Sequence, residues 1–97
     1  MSREEHGERL EMLLVMRWLD AGAPDDGVVA LPVSAAAGEL GLGADREGLL
    51  AVMAALGELE DRRVIEVSWP GGAGAGEAHV TLSEGLRRDA RRLFGRA

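Results

Sequence analysis

The most constraining feature of this chain is the order of local patterns between residues 34 and 86. Two short helical patterns flank Gly41-Leu42-Gly43, and two alternating strand patterns follow, joined by a glycine-rich connection. Ser34 is predicted to cap a helix over Ala35–Leu40, and Asp45 a longer helix that ends near Asp61. This order is typical of a helix-turn-helix unit followed by a β-hairpin.

The second of these helices carries apolar residues at helical spacing, which predicts a buried face. The core residues predicted from this spacing are Leu49, Val52, Met53, Leu56 and Leu59.

Alternation predicts the two hairpin strands over Val64–Trp69 and Ala78–Leu82, with Pro70–Gly76 as the tip. Ser83 is predicted to cap a last helix from Glu84 to about Phe94. The sequence gives no sign of a domain linker or an internal repeat, so residues 1–97 are predicted to form one domain.

The N-terminal segment, residues 1–21, is predicted to be a helix with Ser2 as its cap, ended by Ala21-Gly22-Ala23-Pro24. Val28–Leu31 is predicted as a short strand stopped by Pro32. Residues 28–82 then hold the helix-turn-helix and the hairpin, and residues 83–97 the last helix. The predicted class is α+β, in the order helix, strand, helix, helix, strand, strand, helix.

Three segments carry a resemblance to a known family: SAAAGELGLGADREGLLAVMAAL, LEDRRVIEV and VTLSEGL. Together they make residues 28–86 similar to winged helix-turn-helix domains, including small bacterial regulators of the MarR and PadR type. The resemblance implies a three-helix core with a small antiparallel hairpin, the wing. It also implies that the helix from Asp45 to Asp61 is the recognition helix and that residues 69–79 form the wing tip. Arg63 stands where the family normally has a glycine.

The resemblance implies a dimeric transcriptional regulator that binds double-stranded DNA. The residues expected to contact DNA are the basic and polar ones near the recognition helix and the wing, namely Arg46, Arg62, Arg63, Ser34 and His79. Reading base edges needs donor and acceptor side chains, and Arg46 alone offers them on the outer face of the recognition helix. The alternative for Arg46, which the acids on either side of it favour, is a solvated residue paired with Asp45 or Glu47.

Charge favours a different partner. The chain has a formal net charge of −6, and duplex DNA repels an acidic protein. The remaining residues predicted on the outer face of the recognition helix are small or acidic: Glu47, Gly48, Ala51, Ala55 and Glu58. The alternative hypothesis is therefore a winged-helix adaptor that binds a protein through this acidic, alanine-rich face and does not bind DNA.

Apolar residues on more than one side of the first helix predict burial either within the domain or against a second subunit. The predicted homodimer interface joins the two terminal helices through Leu10, Met12, Val15, Leu19, Leu93 and Phe94. The first helix is acidic, whereas the last carries Arg87, Arg88, Arg91, Arg92 and Arg96. These arginines could neutralise phosphates, pair with an acidic helix or complement the helix dipole.

Catalysis is not predicted. The chain has no cysteine, and its two histidines, His6 and His79, lie outside any metal-binding or triad pattern. The tip glycines do not match a dinucleotide-binding fingerprint, so no cofactor or metal is expected. No apolar stretch is long enough for a membrane span or a signal peptide, and a cytoplasmic location without membrane contact is expected.

Overall fold

The computed structural model describes residues 3–94. It contains four helices and three strands in the predicted α+β order. The helices and strands, with their bounds, are α1 Arg3–Asp20, β1 Val28–Pro32, α2 Val33–Glu39, α3 Arg46–Asp61, β2 Ile65–Ser68, β3 Glu77–Leu82 and α4 Glu84–Phe94. The predicted cap Ser2 and the arginine Arg96 lie outside the described residues.

The strands form an antiparallel sheet in the order β1-β3-β2. Val29 lies opposite Val80 in one ladder, and Val67 lies opposite the same residue in the other. The inward side chains of β3, Ala78, Val80 and Leu82, are all fully buried, as their alternation predicts. The sheet therefore closes one side of a core whose other sides are α1, α2 and α3.

Both free edges of the sheet have lost a backbone donor. On β1, the N–H of Val28 donates to Asp26 Oδ1 at 3.0 Å, and Pro32 has no N–H. On β2, the N–H of Val67 donates to Glu60 Oε2 at 3.2 Å. Because unpaired edge donors invite pairing with another strand, these contacts protect the sheet from edge-to-edge association.

The predicted cap of α2 is wrong. The helix begins at Val33 with Pro32 in the N-cap position, and no side chain caps it. The N–H of Val33 instead donates to the carbonyl of Gly76 at 2.8 Å. A donor at the start of α2 is thus satisfied by the hairpin, a contact distant in sequence that a local pattern cannot show.

The caps of α3 and α4 are confirmed. Asp45 Oδ1 accepts from the N–H of Gly48 at 2.8 Å, and Ser83 Oγ accepts from the N–H of Leu86 at 3.1 Å. The hairpin strands are shifted from their predicted limits: β2 is shorter at both ends and β3 begins one residue earlier. A 3₁₀ turn at Ala73–Ala75 lies within the connection.

Burial on α3 is wider than the predicted stripe. Val52, Leu56 and Leu59 are buried as expected, whereas Leu49 and Met53 are half-buried. Gly48 and Ala55, predicted on the outer face, are buried. The physical reason is that α3 packs against both α1 and α2, so more than one side of the helix faces the core.

The first helix is covered largely by its own domain. Leu10, Leu14, Val15 and Trp18 are buried in the core, and Leu19 is half-buried. Met12 and Met16 are exposed. Among residues 3–94, no helix is long and apolar enough to span a bilayer.

Candidate binding surfaces

The exposed face of α3 is apolar at its centre. Leu50 is 53% exposed, and the exposed Ala54 and half-buried Gly57 follow at four and seven residues along the helix. Such spacing places these side chains on one face. A Cβ added at Gly57 would meet nothing within 4 Å. We call Leu50, Met53, Ala54 and Gly57 the α3 face.

Acidic residues border the α3 face. Glu47 and Asp61 are exposed at the two ends of the helix, and Glu58 is half-buried beside Gly57. The Glu58 carboxylate accepts from Arg62 Nη2 at 3.0 Å. The surface that α3 presents thus has an apolar centre, bordered by Glu47, Glu58 and Asp61 and by the exposed Arg46.

Sequence reasoning missed Leu50 and misplaced Ala55. Leu49 and Leu50 are adjacent, so a helix turns them about 100° apart and cannot bury both equally. That adjacency was the one local sign that a large apolar residue would lie outside the core. Ala55 is 2% exposed, so the alanine-rich face proposed from the sequence does not include it.

The basic residues predicted to contact DNA do not form one patch. Arg46 is the first residue of α3, and Arg62 follows its last turn. A helix of this length separates its ends by about 24 Å. Arg62 is paired with Glu58, and Arg63 lines a cleft with Glu60, Glu66 and Glu84.

Arg46 is exposed, and it forms no ion pair with any residue that the structure describes. The expected pairing with Asp45 or Glu47 is therefore not seen. The Asp45 carboxylate is engaged instead by the N–H of Gly48. The guanidinium of Arg46 is therefore accessible to a ligand.

Ser34 and His79 lie on other secondary-structure elements than these arginines. Ser34 is exposed within α2. His79 is half-buried on β3, with Nε2 4.0 Å from Glu77 Oε1. The other histidine, His6, lies on α1, and the described residues include no group of three or more His, Cys, Asp or Glu that could hold a metal ion.

The hairpin offers a partner no side chain that is always positively charged. Residues 64–86 contain neither arginine nor lysine. Trp69 directly follows β2, is half-buried and packs against the core. The hairpin tip is therefore a small, uncharged surface.

A second exposed apolar surface lies between α1 and α4. Met12 is 49% exposed, Leu93 78% and Phe94 42%, and all three line one groove. Leu10 and Val15, which were predicted to lie in a dimer interface, are buried in the core of the chain itself. They therefore have almost no exposed surface with which to contact a second subunit. Leu19 is half-buried and does not line this groove.

No protein-family model, curated protein or solved structure matches this chain.

Proposed function

We propose that this chain is a winged-helix adaptor that binds a protein partner through the α3 face. The observation that carries the proposal is the exposure of Leu50 on the outer face of α3. In a winged helix, α3 is the recognition helix and the β2–β3 hairpin is the wing. The element order and the antiparallel hairpin support that assignment of the fold.

The α3 face has the chemistry of a protein contact. Interfaces between proteins have apolar centres and polar rims, and α3 presents Leu50 and Met53 between charged ends. Ala54 and Gly57 have little or no side chain, so a helix of the partner could approach the backbone of α3 closely. Complete burial of a leucine side chain contributes about 1.5–3 kcal/mol. Because Leu50 is about half exposed, a partner that covered it would gain about half of that free energy.

Electrostatics support a protein partner over a nucleic acid. Residues 28–82 carry eight acidic residues and three arginines. A protein binds duplex DNA by neutralising phosphates with Lys or Arg. With Arg62 held by Glu58, this half of the molecule would repel the phosphate backbone. A partner with basic residues around an apolar stripe would complement it instead.

Site-specific photocrosslinking tests the proposal. A photoreactive amino acid at Ala54 should crosslink in cells to one protein, whereas the same group at exposed Glu66 should not. With that protein purified, Leu50→Asp should weaken binding at least about tenfold, which is 1.4 kcal/mol. Met16→Asp, which alters an exposed methionine of α1, is the matched control. Equal affinities of the two variants would refute the proposal.

DNA binding is the second candidate. The observation that favours it is Arg46, which is exposed and forms no ion pair among residues 3–94. Arg46 lies in the first turn of α3, where a phosphate or a guanine could be met. Binding to genomic fragments at about 100 mM salt, lost in the double variant Arg46→Ala and Arg62→Ala, would support this function. No binding at about 50 mM salt would exclude it.

A further inference from the structure

The outer edge of β1 keeps one free backbone donor. The N–H of Leu82 donates to the carbonyl of Gly27, in the same register that places Val29 opposite Val80. Because bonded and unbonded residues alternate along an antiparallel strand, Val29 bonds to β3, whereas Ala30 directs its N–H and C=O away from the sheet. Ala30 is also exposed, so the backbone of another chain can reach both groups.

The residues that flank Ala30 along this edge restrict it to a short partner. The N–H of Val28 is taken by Asp26 Oδ1 at 3.0 Å, and Pro32 has no N–H. A long strand laid along β1 would therefore find a single donor. A peptide of a few residues could still use the N–H and C=O of Ala30 and the C=O of Val28, which are the groups that β-strand addition requires.

A groove borders this edge on the side of α1. Leu13 and Met16 of α1 line it together with Val29 and Ala30, and Met16 is 42% exposed. In a strand added to β1, the residue opposite Ala30 has its side chain on the outer face of the sheet, and its two neighbours have theirs on the face of Val29. Since Val29 faces the core, those two side chains would point toward Leu13 and Met16.

Acidic side chains dominate the charge around this edge. Asp20 and Glu39, the last residues of α1 and α2, are exposed and line the groove with Arg17. Asp26 is exposed at the start of β1. Among residues 3–94, neither Asp20 nor Glu39 forms an ion pair. A partner segment with lysine or arginine beside its apolar residues would therefore complement the groove.

We propose that the edge of β1 binds a short extended peptide of another protein, in which apolar residues alternate with polar or basic ones. Main-chain hydrogen bonds to Ala30 and Val28 would supply affinity, and the groove would select the alternate side chains. This site shares no residue with the α3 face. The two sites together would let the adaptor join two proteins, and either proposal can fail while the other holds.

Peptide selection followed by mutation tests the proposal. The probe is a peptide selected on the wild-type protein from a phage-displayed library of random segments of about eight residues, longer than an average strand. Its affinity, measured by fluorescence polarisation, should fall at least about tenfold for Ala30→Pro and for Met16→Asp. Proline is tolerated on an edge strand where the N–H faces outward, so Ala30→Pro should keep the fold. Leu50→Asp, on the α3 face, is the matched control and should bind like wild type.

Amide exchange gives a readout that a folding defect would not imitate. By NMR, the Ala30 amide should exchange at least about tenfold more slowly with the peptide than without it, whereas the Val29 amide should be protected in both states. A library that yields no binding peptide, unchanged affinity for Ala30→Pro, or an unprotected Ala30 amide in the complex would overturn the proposal. Protection of Ala30 that rises with protein concentration alone would assign the edge to a second copy and would also overturn it.

Discussion

The guanidinium of Arg91 lies over the indole ring of Trp18, with 5.3 Å between Arg91 Cζ and the ring centroid. The same indole donates from Nε1 to the carbonyl of Pro24 at 2.9 Å. One turn earlier on α4, Arg87 Nη1 donates to the carbonyl of Asp25. Two arginines thus fasten α4 to α1 and to the loop that follows it, where the helix has little buried apolar area of its own.

Loss of the Arg91–Trp18 contact should destabilise the protein measurably. Arg91→Ala removes a cation from a ring face, which costs about 0.5–1 kcal/mol at an exposed site. Arg91→Lys keeps the charge and should lose less. The free energy of unfolding from urea denaturation at low protein concentration measures the difference. Identical midpoints for Arg91→Ala and wild type would show that the contact contributes nothing to stability.

Arg63 adopts a conformation that favours glycine. Its φ is +62°, and it follows the C-cap Arg62 at the end of α3. The N–H of Arg63 donates to the carbonyl of Glu60, and that of Val64 to Leu59. The ends of α1 and α2 have the same bonding pattern, and there Gly22 and Gly41 occupy the left-handed position.

Arg63→Gly should therefore stabilise the protein. A non-glycine residue in the left-handed region costs roughly 1–2 kcal/mol, partly offset by the greater freedom of glycine in the unfolded chain. Arg62→Gly is the control, because Arg62 has a right-handed conformation and pairs with Glu58, and it should destabilise. Thermal denaturation of both variants measures the effects. A lower midpoint for Arg63→Gly would mean that the arginine side chain contributes more than its backbone strain costs.

The sequence predicted best where structure is set by neighbours along the chain. Asp45 and Ser83 define the starts of α3 and α4 because each caps a donor three residues ahead. Ser34 failed as a cap since the start of α2 depends on Gly76, which is far away in sequence. The exposure of Leu50 and the burial of Ala55 were also not predicted, because the width of the buried face of a helix depends on which helices pack around it.

Asp45 and Ser34 provide a matched test of helix capping. Asp45→Ala should cost about 1 kcal/mol, since it removes the bond to the N–H of Gly48. Ser34→Ala should leave stability nearly unchanged, because no side chain caps α2. Urea denaturation compares them directly. A loss at Ser34 as large as that at Asp45 would contradict the described start of α2.

Two glycines of α3 should respond oppositely to the same added methyl group. A Cβ at Gly48 would collide with the carbonyl oxygen of Gly43, and since a backbone atom cannot turn aside, the turn between α2 and α3 must move. We expect Gly48→Ala to cost about 1–3 kcal/mol. Gly57→Ala meets no atom within 4 Å and should stabilise the helix by up to about 1 kcal/mol.

The effect of Gly57→Ala on partner binding has the opposite sign. Its methyl group would stand on the α3 face and hold a partner helix away from the backbone, so the variant should unfold later but bind more weakly. Calorimetric unfolding measures the change in stability. Titration of the same sample with the purified partner identified by crosslinking measures the change in affinity. Unchanged affinity together with raised stability would move the contact away from Gly57, toward the Leu50 end of α3.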